Sequence, residues 1–279
     1  MAKRERKLNI EKLIKEGRGL GIGSEYKPWL KIQDVASLGR STRLKGIKTG
    51  RQHEFLSDME RNYFYILGFS DCVKDSREQF PALPLEETKT IANELGIEHL
   101  KNPKNGEYIV MTTDFLITEE TGGQILNLAR TIKAKNDLLN RGISEKFEIK
   151  RVYWQRRNVN WAIITEEEVD KAIVKNISFF LSYYDIDNLD AFVEMTNIEV
   201  QDLILEYIKR IIAPEQTIRE ISSLFDKDMA LDKGTGIALF KHLLAKKIIS
   251  IELSEIINID SRNNVDLREK VLNKELNIS

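Results

Sequence analysis

Three separated side chains in this sequence could assemble a site that cuts a phosphodiester: Glu60, Asp114 and Lys133. Asp114 lies in the run Tyr108-Ile-Val-Met-Thr-Thr-Asp-Phe-Leu-Ile117, and Lys133 closes a second run, Ile125-Leu-Asn-Leu-Ala-Arg-Thr-Ile-Lys133. An acid on one strand, then a lysine two residues after a polar position on the next, is an arrangement used by many metal-dependent nucleases. The chemistry needs one or two divalent cations beside a phosphate and a positive charge near the attacking water. Hard cations take oxygen ligands. Asp114, on a rigid strand, is the leading ligand candidate. Glu60, on a helix, could bind a second cation or one of its waters, and the backbone carbonyl of Ile132 is a further oxygen. Lys133 would orient or acidify the water, or offset charge developing on phosphorus. Each residue also has an ordinary reading: a strand-end Asp often marks a turn, Glu60 suits a helix surface, and a lysine after a strand usually snorkels to solvent. By spacing alone the pattern is weak, because Asp and Lys are common.

The elements that must position these residues follow from periodicity and punctuation. Ser57 or Asp58 caps a helix through Leu67, which carries Glu60. Cys72–Phe80 reads as a strand ended by Pro81-Ala-Leu-Pro84, and Thr88–Leu95 as a short helix stopped by Gly96. Residues 108–117 and 124–133 alternate, with Thr121-Gly-Gly123 between them, and read as a hairpin. Ser144 is placed to cap a long helix through Arg157, and Asn160–Thr165 reads as a further strand. The order predicts one mixed α/β core. Upstream, residues 8–18 have an amphipathic helical pattern that the glycines of Gly17-Arg-Gly-Leu-Gly-Ile-Gly23 stop, and 24–50 read as irregular or short extended structure. These glycines lack the preceding strand and following helix of a dinucleotide loop.

Downstream of 166–168 the pattern turns helical. Helices are predicted over Lys171–Tyr184, Leu189–Ile212 with a stop at Pro214, Thr217–Phe225 and Thr235–Lys247, then a strand Ile248–Leu253. That succession is winged-helix-like, without an evident wing. Asp260–Ser279 is polar and reads as a tail or docking peptide. The expected organisation is a basic arm over 1–53, a catalytic domain over 54–166 and a second domain over 167–279.

Charge supports the division. Residues 1–53 hold fourteen Lys/Arg against five Asp/Glu, and residues 167–279 hold fourteen against twenty-one, although the whole chain balances at −1. A basic N-terminal part suits a polyanion, and an acidic C-terminal part suits protein more than phosphate. The candidate DNA contacts are Arg18, Lys27, Arg40, Arg43, Lys45, Lys48 and Arg51, joined by Arg77 and Lys135; Arg151, Arg156 and Arg157 fit either phosphate contacts or a solvated face. With 42% apolar residues the 279-residue chain can bury a sizeable core. Cys72 is its one cysteine, which excludes an intrachain disulfide and a cysteine-based zinc site. No apolar run long enough for a membrane span occurs, and no h-region follows the basic Met1–Lys7, so the reading is cytoplasmic. His53, His99 and His242 form no HxxxH pair, and neither GxSxG nor GxxxxGK[ST] is present, which excludes zincin, serine-hydrolase and P-loop readings.

At these residues the chain resembles the TnsA family, the endonuclease subunits of heteromeric cut-and-paste bacterial transposons. The resemblance is carried by Ile14-Lys-Glu-Gly-Arg-Gly-Leu-Gly-Ile-Gly23, Tyr26-Lys-Pro-Trp-Leu30, Lys48-Thr-Gly-Arg51, Leu56-Ser-Asp-Met-Glu60, Arg77-Glu-Gln-Phe-Pro81, Met111-Thr-Thr-Asp-Phe-Leu116, Arg151-Val-Tyr-Trp-Gln155 and Trp161-Ala-Ile-Ile-Thr165. It implies a restriction-endonuclease-like catalytic domain followed by a winged-helix domain, with the family's glutamate, aspartate and lysine on Glu60, Asp114 and Lys133. It further implies Mg²⁺ as cofactor, with Mn²⁺ able to substitute, and nicking of transposon-end DNA at the 5′ ends of the element. The implied partners are a transposase subunit, TnsB, and an ATP-dependent regulator, TnsC. One departure stands out: where the family often has Gln or Glu two residues before the lysine, this chain has Thr131. The competing expectations are a catalytically weak or inactive DNA-binding assembly subunit and a stand-alone nuclease on the same fold.

Overall fold

The computed structural model describes residues 9–35, 40–212, 215–268, 271 and 274. Pro214, the segment before residue 9 and most of the region 269–279 lie outside the described residues, and with them the expected helix stop and much of the polar tail. The chain divides after Val169 into two units.

The first unit is built on a four-stranded mixed sheet. Its strands are β3 (Val73–Pro81), β4 (Thr112–Thr121), β5 (Gln124–Ile132) and β6 (Asn160–Ile164), in that spatial order, after an upstream hairpin of β1 (Thr42–Lys45) and β2 (Gln52–Phe55). β3–β4 and β4–β5 pair antiparallel, whereas β5–β6 pair parallel. The parallel pair requires a crossover, supplied by helix α4 (Arg141–Gln155). The remaining helices of the unit are α1 (Ile10–Lys15), α2 (Asp58–Phe69) and α3 (Leu85–Glu94).

Alternation along the strands divides the core. Phe115, Ile117 and Ile132 point to one side and pack with Phe55 of β2 and Phe64 and Leu67 of α2. Leu116 and Ala129 point to the other and pack with Ile91 and Ala92 of α3 and Ile149, Tyr153 and Trp154 of α4. Each large apolar side chain buried this way contributes about 1.5–3 kcal/mol. The Trp154 indole satisfies its buried N–H by donating to Thr113 Oγ1 at 2.8 Å.

Several boundaries differ from the sequence expectation. Asn140, not Ser144, caps α4 by accepting from the Ile143 N–H at 3.3 Å, while the Ser144 hydroxyl donates to the Leu138 carbonyl. The hairpin's first strand starts at Thr112; Tyr108 forms only an isolated bridge with Lys101. In the second unit, the helix expected over Leu189–Ile212 starts at Asn197, where Thr196 and Glu199 form a reciprocal cap that outcompetes earlier nucleation.

The second unit contains α5 (Lys171–Phe180), α6 (Asn197–Ile211), α7 (Ile218–Asp228) and α8 (Thr235–Ala245), with β7 (Ile249–Ser250) pairing antiparallel with β8 (Asp266–Leu267). The strand expected over Ile248–Leu253 is thus only two residues long. The Asp226 carboxylate accepts from the N–H groups of Gly234 and Gly236, both at 2.7 Å, joining α7 to the start of α8. Among the described residues no helix is long and apolar enough to cross a membrane.

Candidate active site

The first turn of α2 fixes Glu60. Ser57 caps the helix by accepting from the Glu60 N–H at 3.2 Å. The Glu60 carboxylate folds back to accept from the Ser57 hydroxyl at 2.9 Å and the Leu56 N–H at 3.1 Å. Only 6% of Glu60 is exposed. Asp114 is held from the sheet: its Oδ2 accepts from the Ile132 N–H on β5 at 2.8 Å. Lys133 follows β5 directly, anchored by its own N–H to the Ile164 carbonyl of β6 at 3.0 Å.

Between the two carboxylates stands Gln79 of β3. Pairing of Glu78 with Phe115 and of Phe80 with Thr113 sets Gln79 opposite Asp114. Its Nε2 lies 3.5 Å from Glu60 Oε2 and 3.5 Å from Asp114 Oδ1, and its Oε1 accepts from the Thr112 hydroxyl at 2.9 Å. Gln79 is buried and has φ +48°, a left-handed conformation uncommon for a side chain of its size.

Glu60, Asp114, Thr131, Ile132 and Lys133 all line one cleft of about 540 Å³, with Lys146 and Lys150 of α4 on its wall. Burial, then the negative charge of Asp114, pushes the Glu60 carboxyl up to about 7. Asp114 in turn favours the ammonium of Lys150 on α4, against desolvation. The Lys133 ammonium pairs with Asp137 at 2.9 Å. Thr131 is buried and accepts from the Trp161 indole N–H at 3.2 Å, so its hydroxyl is partly committed. The donor set of two carboxylates, a hydroxyl and main-chain oxygen suits a hard cation, and Mg²⁺ is commonly held by one or two carboxylates plus water and phosphate. No group of three or more His, Cys, Asp or Glu side chains suited to a metal occurs among the described residues.

The basic residues of the N-terminal part are distributed unevenly. Arg18 is buried, donating to the Trp29 carbonyl and pairing with Glu16 and Asp34. Arg51 is likewise enclosed: it donates to Glu78 Oε1 at 2.7 Å, to Glu78 Oε2, and to the carbonyls of Gly23 and Ser76. Burial opposes ionisation of Glu78, but Arg51 and His53 outweigh it and hold the carboxyl at about 2. Arg77 packs over Phe80 and bonds Asp75, Thr118 and Asn127. Arg18 and Arg51 thus turn most of their donors inward, whereas the buried Arg77 Nε has no hydrogen-bond partner among the described residues; DNA contact by the three remains a proposal. Lys48 donates to the carbonyls of Ser70 and Val73. Lys27, Arg40, Arg43, Lys45 and Lys135 are exposed; Arg40 pairs with Asp58, Arg43 with Glu54 and Lys135 with Glu167. In the last turn of α4 and just past it, Arg151, Arg156 and Arg157 pair with Glu148, Glu94 and Glu87.

Sequence reasoning gave no role to Gln79, Lys146 or Lys150. The signal for the lysines was their i, i+4 spacing on a helix whose neighbouring row, Ile149 and Tyr153, faces the core. Gln79 had no local signal, since its position depends on the β3–β4 register.

Helix α2 and the sheet bring two acids and a lysine to one cleft, and comparison with known proteins points to an endonuclease family. Residues 70–166 match the model for the TnsA-like endonuclease N-terminal domain, and residues 168–253 match that for the TnsA endonuclease C-terminal domain. The chain belongs to the TnsA family of transposon endonucleases. It is 41% identical over 175 residues to the Transposon Tn7 transposition protein TnsA of Escherichia coli. That match covers 63% of this chain and 63% of the relative, less than two thirds of the relative's length. Asp114 and Lys133 lie within the first matched segment; Glu60 precedes it.

Proposed function

We propose that the chain is a divalent-metal-dependent DNA endonuclease subunit of a transposase complex, nicking donor DNA at the 5′ ends of the element. The observation that carries this reading is the meeting of Glu60 and Asp114 at Gln79, in the cleft that Lys133 also lines. Glu60, Asp114 and the Ile132 carbonyl would hold Mg²⁺ or Mn²⁺, with Thr131 an auxiliary oxygen. Such a cation, when bound, neutralises phosphate charge and acidifies water. Around it, the Ile132 N–H fixes the Asp114 carboxylate, Gln79 spaces the two acids, and Glu60 releases its proton as positive charge enters. Lys133, once freed from Asp137, places an ammonium where charge develops on the phosphate.

The mixed sheet with an acid on β4 and a lysine ending β5 supports a restriction-endonuclease-like fold. The helices α6–α8 followed by the short β7–β8 pair support a winged-helix-like second unit. The expected partners are transposon-end DNA, the transposase TnsB, and the ATP-dependent regulator TnsC through the acidic C-terminal unit, in a bacterial cytoplasm. An assembly subunit with weak catalysis is favoured by one observation, the engagement of Thr131 by Trp161. Strand-specific cleavage of a donor plasmid with the cognate transposase and ATPase separates the two. Loss of 5′ nicks alone in Asp114→Ala supports the nuclease; unchanged 5′ nicks reject it.

A further inference from the structure

Lys146 and Lys150, a turn apart on α4, line the same cleft as Glu60 and Asp114. Lys133, which also lines it, is matched by Asp137. Among the described residues no carboxylate pairs with Lys150; its recorded contact is with the face of Phe147 at 5.4 Å. Lys146 has only a long bond, 3.4 Å, to the Gly142 carbonyl. Desolvation, and to a lesser degree the Lys133 charge, pull the Lys150 pKa down, while Asp114 opposes them, so this ammonium sits among charges of both signs with no carboxylate in direct contact. A phosphate entering the cleft would give it a direct partner. The helix bearing it is rigid, because Ile149, Tyr153 and Trp154 are buried against the sheet, and rigid elements suit ligand-holding groups.

We propose that Lys150, assisted by Lys146, holds a phosphate of the bound DNA strand in the cleft that Asp114 also lines. The inference rests on the nuclease reading and adds to it the residue that grips the backbone. A phosphodiester in that cleft would meet both ammonium groups and leave its other oxygens for the site that Glu60 and Asp114 share. Two lysines on one helical face would thereby set the strand's path and the depth at which it enters.

The test uses the full chain and a fluorescein-labelled duplex in Ca²⁺, with anisotropy followed over a range of salt. Lys150→Met is expected to weaken binding about tenfold and to lower the salt slope by about one. Lys150→Arg should recover both. Unchanged affinity and slope, or a loss that arginine does not recover, would each overturn the proposal. Calorimetric titration with Mn²⁺ distinguishes this failure from failure of the nuclease reading. Lys150→Met should retain Mn²⁺ binding at least as tight as wild type, because it removes a positive charge near Asp114, whereas Asp114→Ala should lose it. If Asp114→Ala keeps Mn²⁺ affinity and 5′ cutting, the nuclease reading falls and takes this proposal with it.

Discussion

The Ile132 N–H donates to Asp114 Oδ2 at 2.8 Å, so the strand carrying the acid and the strand ending in Lys133 are joined at the cleft itself. The bond orients the carboxylate before any ligand arrives. It also ties the position of Lys133, one residue on, to that of Asp114.

Replacing Asp114 by Asn keeps the shape and an acceptor for the Ile132 N–H while removing the charge. Cleavage of donor DNA at 5′ ends is expected to fall by on the order of 10²–10³. Because Asp114 raises the Glu60 pKa through like-charge repulsion, Glu60 should titrate lower in Asp114→Asn. Carbon-detected NMR of the glutamate carboxyls would show the change, and an unmoved Glu60 would sink the claim that the two acids interact.

Metal-free stability should decline as pH rises from about 4.5 toward 7. The Glu60 pKa is raised to about 7, so between those values the folded state holds a proton that the unfolded state has lost. Its contribution is fully present below the unfolded value and disappears through the folded one, with a slope of at most about 1.4 kcal/mol per pH unit. Glu78 acts in the opposite sense but at lower pH: its carboxyl is depressed to about 2, so its contribution is lost only as pH falls from about 4.5 toward 2. Urea unfolding at pH 5.5 and 7.5 in EDTA should reveal the decline, and Mg²⁺ should reduce it.

Arg51 and Lys45 belong to the same basic stretch and should behave differently. Arg51→Ala leaves the buried Glu78 carboxylate without its main partner and should cost about 3–5 kcal/mol. Lys45 is exposed on β1. Lys45→Ala should leave the unfolding midpoint unchanged and lower the salt slope of DNA binding by about one. Equal thermal shifts in the two variants would contradict this division.

A Cβ on Gly236 would come within 2.9 Å of Ser222 backbone and side-chain atoms, where α7 and α8 approach closely. Gly236→Ala should destabilise the chain by about 1–3 kcal/mol, read as a lower thermal midpoint. An unchanged midpoint would show that the two helices can separate freely.

The elements around the site were legible because their signals are local. The glycines after Thr121 announce the hairpin, Ser57 announces α2, and alternation along 124–133 announces β5. Register and ion pairing were not legible, because they join residues far apart in sequence. Nothing near Arg51 states that Glu78 will enclose it, and nothing near Gln79 states that Asp114 will face it. The positive charge of the first 53 residues likewise said nothing about which cations turn inward; the fold commits Arg18 and Arg51 to carboxylates and carbonyls and leaves Lys45 outside.

β3 is an outer strand of the sheet, and the N-terminal part of the chain lies along it. The Trp29 N–H donates to the Gln79 carbonyl at 3.2 Å, and the Tyr26 hydroxyl donates to the Glu78 carbonyl at 3.0 Å. An outer strand with bare backbone groups is a template for another chain. The arm is therefore a seal against self-association as well as a basic surface, and a chain shortened past Trp29 would be expected to aggregate through the strand that carries Gln79.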